Sequence, residues 1–200
     1  MTENEFWSLI DEARLKVGNM KAIPVWLEER LTERSLAEIH DFGAWLAHFM
    51  GRAHVAPLWN AGSIIAAGLS DDGFVYFKCW LISRGKAVYE AALLEPDSLV
   101  DLEYPDHQPE RGFLGRPSVN LEKLIYVYAF AYNKKCGNPQ YASPITPPAG
   151  WVSPAGCQPY GKPPEVRHED LLGPDDVEER LERFPRLMRR FEAQKDSSGS

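Results

Sequence analysis

The segment FVYFKCWLI, residues 74–82, constrains the fold more than any other part of this 200-residue chain. It is apolar almost all round, so the element that it forms has to lie at the centre of the core. Its aromatic and β-branched residues would also suit a strand. We favour a helix, because a Ser-Asp-Asp-Gly sequence before the segment supplies capping residues and Gly85 after it supplies a stop.

Two capping boxes predict further helices in the N-terminal part of the chain. In each box a Ser or Thr hydroxyl and a Glu carboxylate three residues later satisfy free backbone N–H groups. The box at residues 2–5 is followed by apolar residues at helical spacing, namely Phe6, Leu9, Ile10, Ala13 and Val17, and Gly18-Asn19 supplies the stop. The box at residues 35–38 precedes one apolar stripe of Leu36, Ile39, Phe42, Leu46, Phe49 and Met50.

Prolines and another serine indicate the remaining elements of residues 1–137. Pro24 and Pro57 each suit the first turn of a helix, where a missing N–H costs nothing. A short helix is expected over residues 88–93, ending before Pro96. Residues 104–117 are expected to form a polar loop. Ser118 is expected to cap a last helix, closed by Gly137, whose inward face comprises Leu121, Leu124, Ile125, Tyr128 and Tyr132.

Residues 138–164 contain eight of the 16 prolines together with Tyr141, Trp151 and Tyr160. Proline at this density excludes helix and central strand. The segment is therefore either a disordered linker or an arm that lies across the helical body with its aromatic side chains in grooves.

A final helix is expected from about residue 174 to residue 193, with Pro185 kinking or splitting it. Its apolar side comprises Val177, Leu181, Phe184, Leu187 and Phe191. The predicted fold is all-α: an irregular multi-helix bundle with a Pro-rich extended arm and a C-terminal helix. Its parts are a helical core domain over residues 1–137, the arm over 138–172, the C-terminal helix packing on the core over 173–193, and a disordered tail over 194–200.

Charge and composition exclude several classes of function. The net charge of −7 does not match the phosphate backbone of a nucleic acid, so we expect no binding to duplex nucleic acid. We also expect no membrane partner. No stretch approaches the ~18 apolar residues of a transmembrane helix. Three Cys without a close pair, and an acidic N-terminus unlike a signal peptide, indicate a cytoplasmic protein in a bacterial-type cell. Cys136 precedes the Pro-rich arm and Cys157 lies within it, and the two could form a disulfide only under oxidising conditions.

Seven acidic residues and no Lys or Arg occur between residues 87 and 110: Glu90, Glu95, Asp97, Asp101, Glu103, Asp106 and Glu110. We call this run the acidic edge. It is either a solvated helix end and loop or a docking surface for a basic partner.

The best candidate constellation for binding surrounds the central segment. It comprises Trp59, Asp71, Asp72, Tyr76, Trp80 and Tyr89, with Trp151 of the arm as a further candidate for partner contacts. In the structural interpretation the two carboxylates cap a helix and the aromatic residues build the core. In the functional interpretation the carboxylates and the Tyr76 hydroxyl line a pocket walled by Trp, which suits a cationic or hydrogen-bonding ligand, or a divalent ion with oxygen ligands.

Signatures of catalysis and of metal binding are missing from the sequence. There is no phosphate-binding glycine loop, nucleophile elbow or HExxH motif. The five His residues are scattered, so we expect no metal and no cofactor, and the catalytic residues, if there are any, stay unidentified. Arg186, Arg189 and Arg190 near the end of the last helix form either a helix-stabilising cluster or a small anion-binding patch.

Three stretches carry a family resemblance: TENEFWSLIDEAR, LSDDGFVYFKCWLISRGKAVYEAALLEPDSLVDL and DDVEERLERFPRLMRRF. They resemble a bacterial family known as domain of unknown function number 4240, which is common in actinobacteria. The match comprises Trp7, residues 70–74, Tyr76, Phe77, residues 80–82, Gly85, residues 88–93 and residues 96–99. The resemblance implies a small, mostly helical cytosolic protein without assigned catalytic residues. The apolar stretch HVAPLWNAGSIIAAGL and the long arm depart from the family pattern.

These observations lead to two hypotheses of function. The favoured one is a binding or regulatory module that acts through protein contacts, with the acidic edge and the aromatic arm as contact surfaces. The alternative is an enzyme or a small-ligand-binding protein that uses a pocket around Asp71, Asp72, Tyr76 and Trp80. An exposed aromatic patch on the arm would favour the first, and a deep cleft with inward-facing carboxylates the second. The oligomeric state is open.

Overall fold

The computed structural model describes residues 1–104, 116–137, 147–159 and 164–192. Within these ranges the chain is helical and no residue is in a strand, so the all-α expectation is confirmed. The α-helices are α1 Glu3–Lys16, α2 Ile23–Thr32, α3 Leu36–Arg52, α4 Ala56–Ala66, α5 Asp71–Ser83, α6 Lys86–Leu94, α7 Val127–Lys135, α8 Val177–Arg183 and α9 Pro185–Phe191. Short 3-10 turns cover Met20–Ala22, Pro96–Asp101, Glu122–Tyr126 and His168–Asp170.

The helix starts agree with the local sequence signals. Both capping boxes are present, with reciprocal bonds between Thr2 and Glu5 before α1 and between Ser35 and Glu38 before α3. The Ser35 contacts lower the pKa of Glu38 to about 2, because they stabilise its charged form. Ser70 accepts a hydrogen bond from the Gly73 N–H at 3.1 Å and starts α5. The central segment is therefore a helix and not a strand.

The core is built around α5, which contacts α1, α3, α4, α6 and the Glu122–Tyr126 turn. A ladder of aromatic rings runs through it, in which consecutive ring centroids lie 4.4 to 6.1 Å apart and adjacent planes are nearly parallel. Its members in order are Trp59, Phe74, Phe77, Trp80 and Tyr104. A second cluster joins α1, α3 and α6 through Phe6, Trp7, Phe42, Phe49 and Tyr89.

Two buried polar side chains of the core attach the C-terminal part of the chain. Asn60 on α4 donates to the carbonyl of Asp170 at 3.1 Å and accepts from the N–H of Leu172 at 2.9 Å. Asp97 accepts from the N–H groups of Arg186 and Leu187 at 3.0 and 2.8 Å and so caps α9. Because both side chains are buried, these bonds fix where the C-terminal helices lie on the core.

Two details of the predicted helices are wrong. Ser118 does not cap a helix: the chain enters α7 through the Glu122–Tyr126 turn, and the Asn120 side chain accepts from the Glu122 N–H at 3.1 Å. The 3-10 turn also shifts the register, so Leu124, Val127 and Ala131 form the buried face, and Tyr128 and Tyr132 are only half-buried.

The last predicted helix is split at Pro185, as its sequence indicates, into α8 and α9. The break turns α8 away from the register of α9. Phe184, Leu187 and Phe191 are buried as expected, but Val177 and Leu181 are 46% and 49% exposed. The apolar stripe predicted for a continuous helix therefore holds only for its second half.

Residues 147–159 of the Pro-rich segment lie along α3. The Trp151 indole N–H donates to Asp41 Oδ1 at 2.8 Å, and the Gln158 N–H donates to His48 Nδ1 at 3.1 Å. Cys157 is buried between them. The other aromatic residues of the predicted arm, Tyr141 and Tyr160, and the predicted tail lie outside the described residues.

Candidate functional site

The two acidic residues of the predicted constellation lie at the surface. Asp71 and Asp72 occupy the first turn of α5 and are exposed, where carboxylates stabilise the helix dipole. Tyr76, one turn later, is half-buried beside Glu122. Partial burial and the charge of Glu122 raise the pKa of Tyr76 above its ordinary value.

The aromatic members of the constellation are structural neighbours of the core. Trp80 is 2% exposed and stacks between Phe77 and Tyr104 in the aromatic ladder, and Trp59 stacks on Phe74. Tyr89 is fully buried, and its hydroxyl donates to the Phe49 carbonyl at 2.7 Å. Trp80 is thus covered by the core while the acidic pair faces water, and the two do not share an open cleft.

Trp151 lies apart from the other candidates, on the outer side of α3. Its ring is half-buried and its centroid lies 5.7 Å from that of His40. Since its indole N–H already bonds Asp41, this residue anchors residues 147–159 to the core.

Most described carboxylates of the acidic edge have partners within the chain. Glu90 makes a bidentate ion pair with Arg52 at 2.9 and 3.1 Å, and Asp101 pairs with Arg186. Asp97 is the buried cap of α9. Asp106 and Glu110 lie outside the described residues. Among the described residues, the carboxylates of the acidic edge therefore mainly stabilise the fold, and few of them are unpaired charges open to a basic partner.

Two of the three arginines that could form an anion-binding patch, Arg186, Arg189 and Arg190, also have partners within the chain. Arg186 is engaged by Asp101, and Arg190 donates to the carbonyls of Val100 and Leu102. Arg189 is exposed on α9. These three side chains point to different surroundings and do not converge on one anion.

The structure instead reveals a residue that the sequence analysis did not single out, Lys78. It lies in the middle of α5 and is 5% exposed. Its Nζ lies 3.1 Å from Nδ1 of His54 and 5.0 Å from the centroid of the Phe74 ring. Within the described part of the chain, no carboxylate forms an ion pair with Lys78.

Burial changes the protonation of this pair. It lowers the pKa of Lys78 to about 8, because the charged ammonium is desolvated. Burial and the nearby Lys78 charge also lower the pKa of His54. At neutral pH the histidine is therefore uncharged and Lys78 is predominantly a cation.

Lys78 opens onto a pocket of about 320 Å³ between α3, α5 and α7. Its lining is mainly apolar and comprises Gly43, Leu46, Ala47, Met50, Gly51, Lys78, Ile125, Tyr128 and Pro159. Gly43 permits the close approach of α7, since a Cβ there would lie 2.5 Å from Cδ2 of Tyr128. Pro159, from the Pro-rich segment, closes one side. The signal that could have located this site is one lysine within an otherwise apolar helix.

The described residues place limits on other kinds of site. Among them, no three His, Cys, Asp or Glu side chains are grouped so that they could hold a metal ion. No helix in the described ranges is long and apolar enough to cross a membrane. The three cysteines are free, with Cys79 and Cys157 buried and Cys136 exposed.

The fold and the pocket define an all-α protein in which a buried lysine of the helical core lines a small, mainly apolar pocket. The chain belongs to the family described as protein of unknown function (DUF4240), whose family model matches residues 1–134. This match covers α1 to α6 and nearly all of α7, and so includes every pocket-lining residue except Pro159. No curated protein and no solved structure matches the chain.

Proposed function

We propose that this protein binds a small, largely apolar molecule in the Lys78 pocket, and that Lys78 holds a carboxylate or carbonyl oxygen of that molecule. The observation that carries the proposal is the buried ammonium at an open pocket, with an uncharged histidine beside it. The pocket volume of about 320 Å³ suits a small ligand, since small-molecule sites occupy roughly 300–1,000 Å³.

The energetic argument starts from the cost of the buried charge. A lysine that is 5% exposed has lost most of its hydration, and a neutral imidazole replaces it only in part. An acceptor oxygen on a ligand would restore that interaction. A charge-assisted hydrogen bond contributes about 1.5–3 kcal/mol, and the apolar lining supplies the remaining affinity through burial of hydrocarbon.

Like the alternative hypothesis from the sequence, this proposal assigns a small ligand to the protein, but it places the ligand at Lys78 and not at Asp71 and Asp72. The carboxylates Asp71 and Asp72 face water, whereas Lys78, two turns further along α5, faces a pocket. The ligand is accordingly one with an acceptor or an anion and not a cation.

Hexanoate, with hexanol as its uncharged analogue, is a suitable probe. Hexanoate should bind the wild-type protein in a calorimetric or NMR titration. Lys78→Met should weaken that binding by about ten- to hundredfold, the equivalent of the lost hydrogen bond. Lys16→Met, at an exposed lysine on α1, is the matched control and should bind as the wild type does. Equal affinity of Lys78→Met and wild type for hexanoate would contradict the proposal.

A binding or regulatory module that acts through protein contacts is the second candidate. It is supported by an apolar groove between α2 and α7, at which Val25 and Tyr126 are 53% and 42% exposed. A pull-down that compares wild type, Val25→Glu and a deletion of residues 138–164 tests this candidate. Loss of the same partner in Val25→Glu would favour the groove, and loss only in the deletion would favour the Pro-rich arm.

A bacterial cytoplasm is the location that we propose for either function. It is supported by the free cysteines, of which Cys136 is an exposed thiol that persists under reducing conditions. The net charge of −7 also argues against duplex nucleic acid as a partner.

A further inference from the structure

A second group of buried charges lies far along the chain from Lys78, where α8 and α9 meet the core. Arg116 and Arg180 are 8% and 6% exposed. Both approach Oε1 of Glu192, at 3.5 Å for Arg116 and 3.2 Å for Arg180. Among the described residues, two buried guanidinium cations thus approach one carboxylate oxygen, so these three side chains together carry a net positive charge.

The hydrogen bonding of Arg116 is incomplete. Within the described residues, its buried terminal nitrogens Nη1 and Nη2 have no hydrogen-bond acceptor. A buried charged donor without an acceptor is costly, because it has lost water and gained nothing in return. Desolvation lowers the pKa of Arg116 accordingly, although the group stays charged.

The surroundings add positive charge to this group. The Arg116 guanidinium lies 5.8 Å from the centroid of the Phe191 ring, and that of Arg190 lies 5.4 Å from the same ring. Arg190 uses its Nη1 to bond the carbonyl of Leu102 at 3.0 Å, which leaves its charge uncompensated by that bond. The guanidinium groups of Arg116 and Arg190 thus both lie beside the Phe191 ring, next to the residue that Arg116 and Arg180 approach.

The break between α8 and α9 creates this arrangement. Arg180 lies on α8 and Glu192 directly follows α9, and the turn at Pro185 brings these residues together across 12 positions of the chain. In a continuous helix 12 residues would separate them by about 18 Å along the axis. The site is thus a product of the fold and not of a local motif.

We propose that Arg116 and Arg180 form a binding site for an oxyanion, namely a phosphate or carboxylate group of a small ligand. The planar guanidinium forks of arginine match the oxygens of either group. The bound oxyanion would accept hydrogen bonds from Nη1 and Nη2 of Arg116, and its charge would offset the net positive charge of the three side chains. This site is independent of the Lys78 pocket, which lies between other helices.

Inorganic phosphate and acetate are the probes, each titrated in chloride buffer of matched ionic strength. The wild-type Tm should rise with the concentration of the bound anion, by about 5 °C or more at a hundredfold excess over its Kd. Arg116→Met should abolish this rise. Arg189→Met, an exposed arginine on α9, is the matched control and should retain it.

Glu192→Gln provides a second measurement that does not depend on loss of binding. Removing the shared carboxylate raises the positive charge of the site, so phosphate should bind several-fold more tightly in a calorimetric titration. A larger response to phosphate than to acetate would assign the site to phosphate groups, and the reverse to carboxylates. Absence of any anion response in the wild type, or an equal response in Arg116→Met, would overturn the proposal.

Discussion

Gly43→Ala tests how closely α3 and α7 have to approach to form the Lys78 pocket. Gly43 is buried in the middle of α3, under the ring of Tyr128. A Cβ at this position would lie 2.5, 2.8 and 2.9 Å from Cδ2, Cε2 and Cγ of that ring. Side-chain carbons do not approach so closely, so the ring or the α7 backbone has to move.

The expected change in stability is the balance of two opposing effects. Alanine in a helix interior is favoured over glycine by about 0.5–1 kcal/mol. Overpacking against the Tyr128 ring costs about 1–3 kcal/mol. The net expectation is a loss of about 0–2.5 kcal/mol in the free energy of unfolding, measured by urea denaturation. For a chain of 200 residues this lowers the Tm by roughly 2–4 °C per kcal/mol.

A double-mutant cycle with Tyr128→Ala isolates the contact. In the Tyr128→Ala background the obstacle is gone, so Gly43→Ala should stabilise the protein by about 0.5–1 kcal/mol, a reversal of sign. Gly51→Ala is the control on the same helix, because a Cβ there meets nothing within 4 Å. If Gly43→Ala has the same effect in both backgrounds, the contact with Tyr128 does not limit the packing of α7.

Asp97→Ala should lower the free energy of unfolding by about 2 kcal/mol in urea denaturation, because two N–H groups of α9 lose their acceptor. The control Asp101→Ala, at an exposed ion pair, should lower it by less than about 1 kcal/mol. Lys78 should make wild-type stability, measured relative to Lys78→Met, rise by up to about 3 kcal/mol as the pH increases from 8 to 10.5. Below pH 8 Lys78 is protonated in both the folded and the unfolded chain, so the folded protein bears the full cost of burying its charge. Above pH 8 the unfolded chain binds more protons than the folded one, and stability rises with pH. A stability difference between wild type and Lys78→Met that does not change with pH would refute the lowered pKa of Lys78. Gly85→Ala should lower the Tm and reduce the free energy of unfolding by about 1–3 kcal/mol, because φ is +90° at this residue and a Cβ would lie 2.4 Å from Nη1 of Arg14. An unchanged Tm would show that the backbone relaxes freely at this position.

The candidate residues that the sequence suggested for one site are divided between the core and the surface in the structure. Aromatic residues near carboxylates suggested a pocket, but Trp80 and Tyr89 are covered by other helices and Asp71 and Asp72 are not. Periodicity could not separate these cases, because α5 is apolar on nearly every side. The direction in which each aromatic ring packs depends on which helix lies opposite.

What the sequence determined by itself is the set of helices and most of their ends. Capping residues such as Ser35 and Ser70, and the break at Pro185, act through bonds within a few residues, so their effect is visible in a short window of sequence.

The tertiary structure alone decided which charged groups are buried and what they contact. Lys78 meets His54 across 24 residues, Asp97 caps α9 across about 90, and Arg116 meets Glu192 from another part of the chain. Each of these contacts joins positions that no local pattern relates. Their energies depend on burial, and burial exists only once the helices have packed against one another.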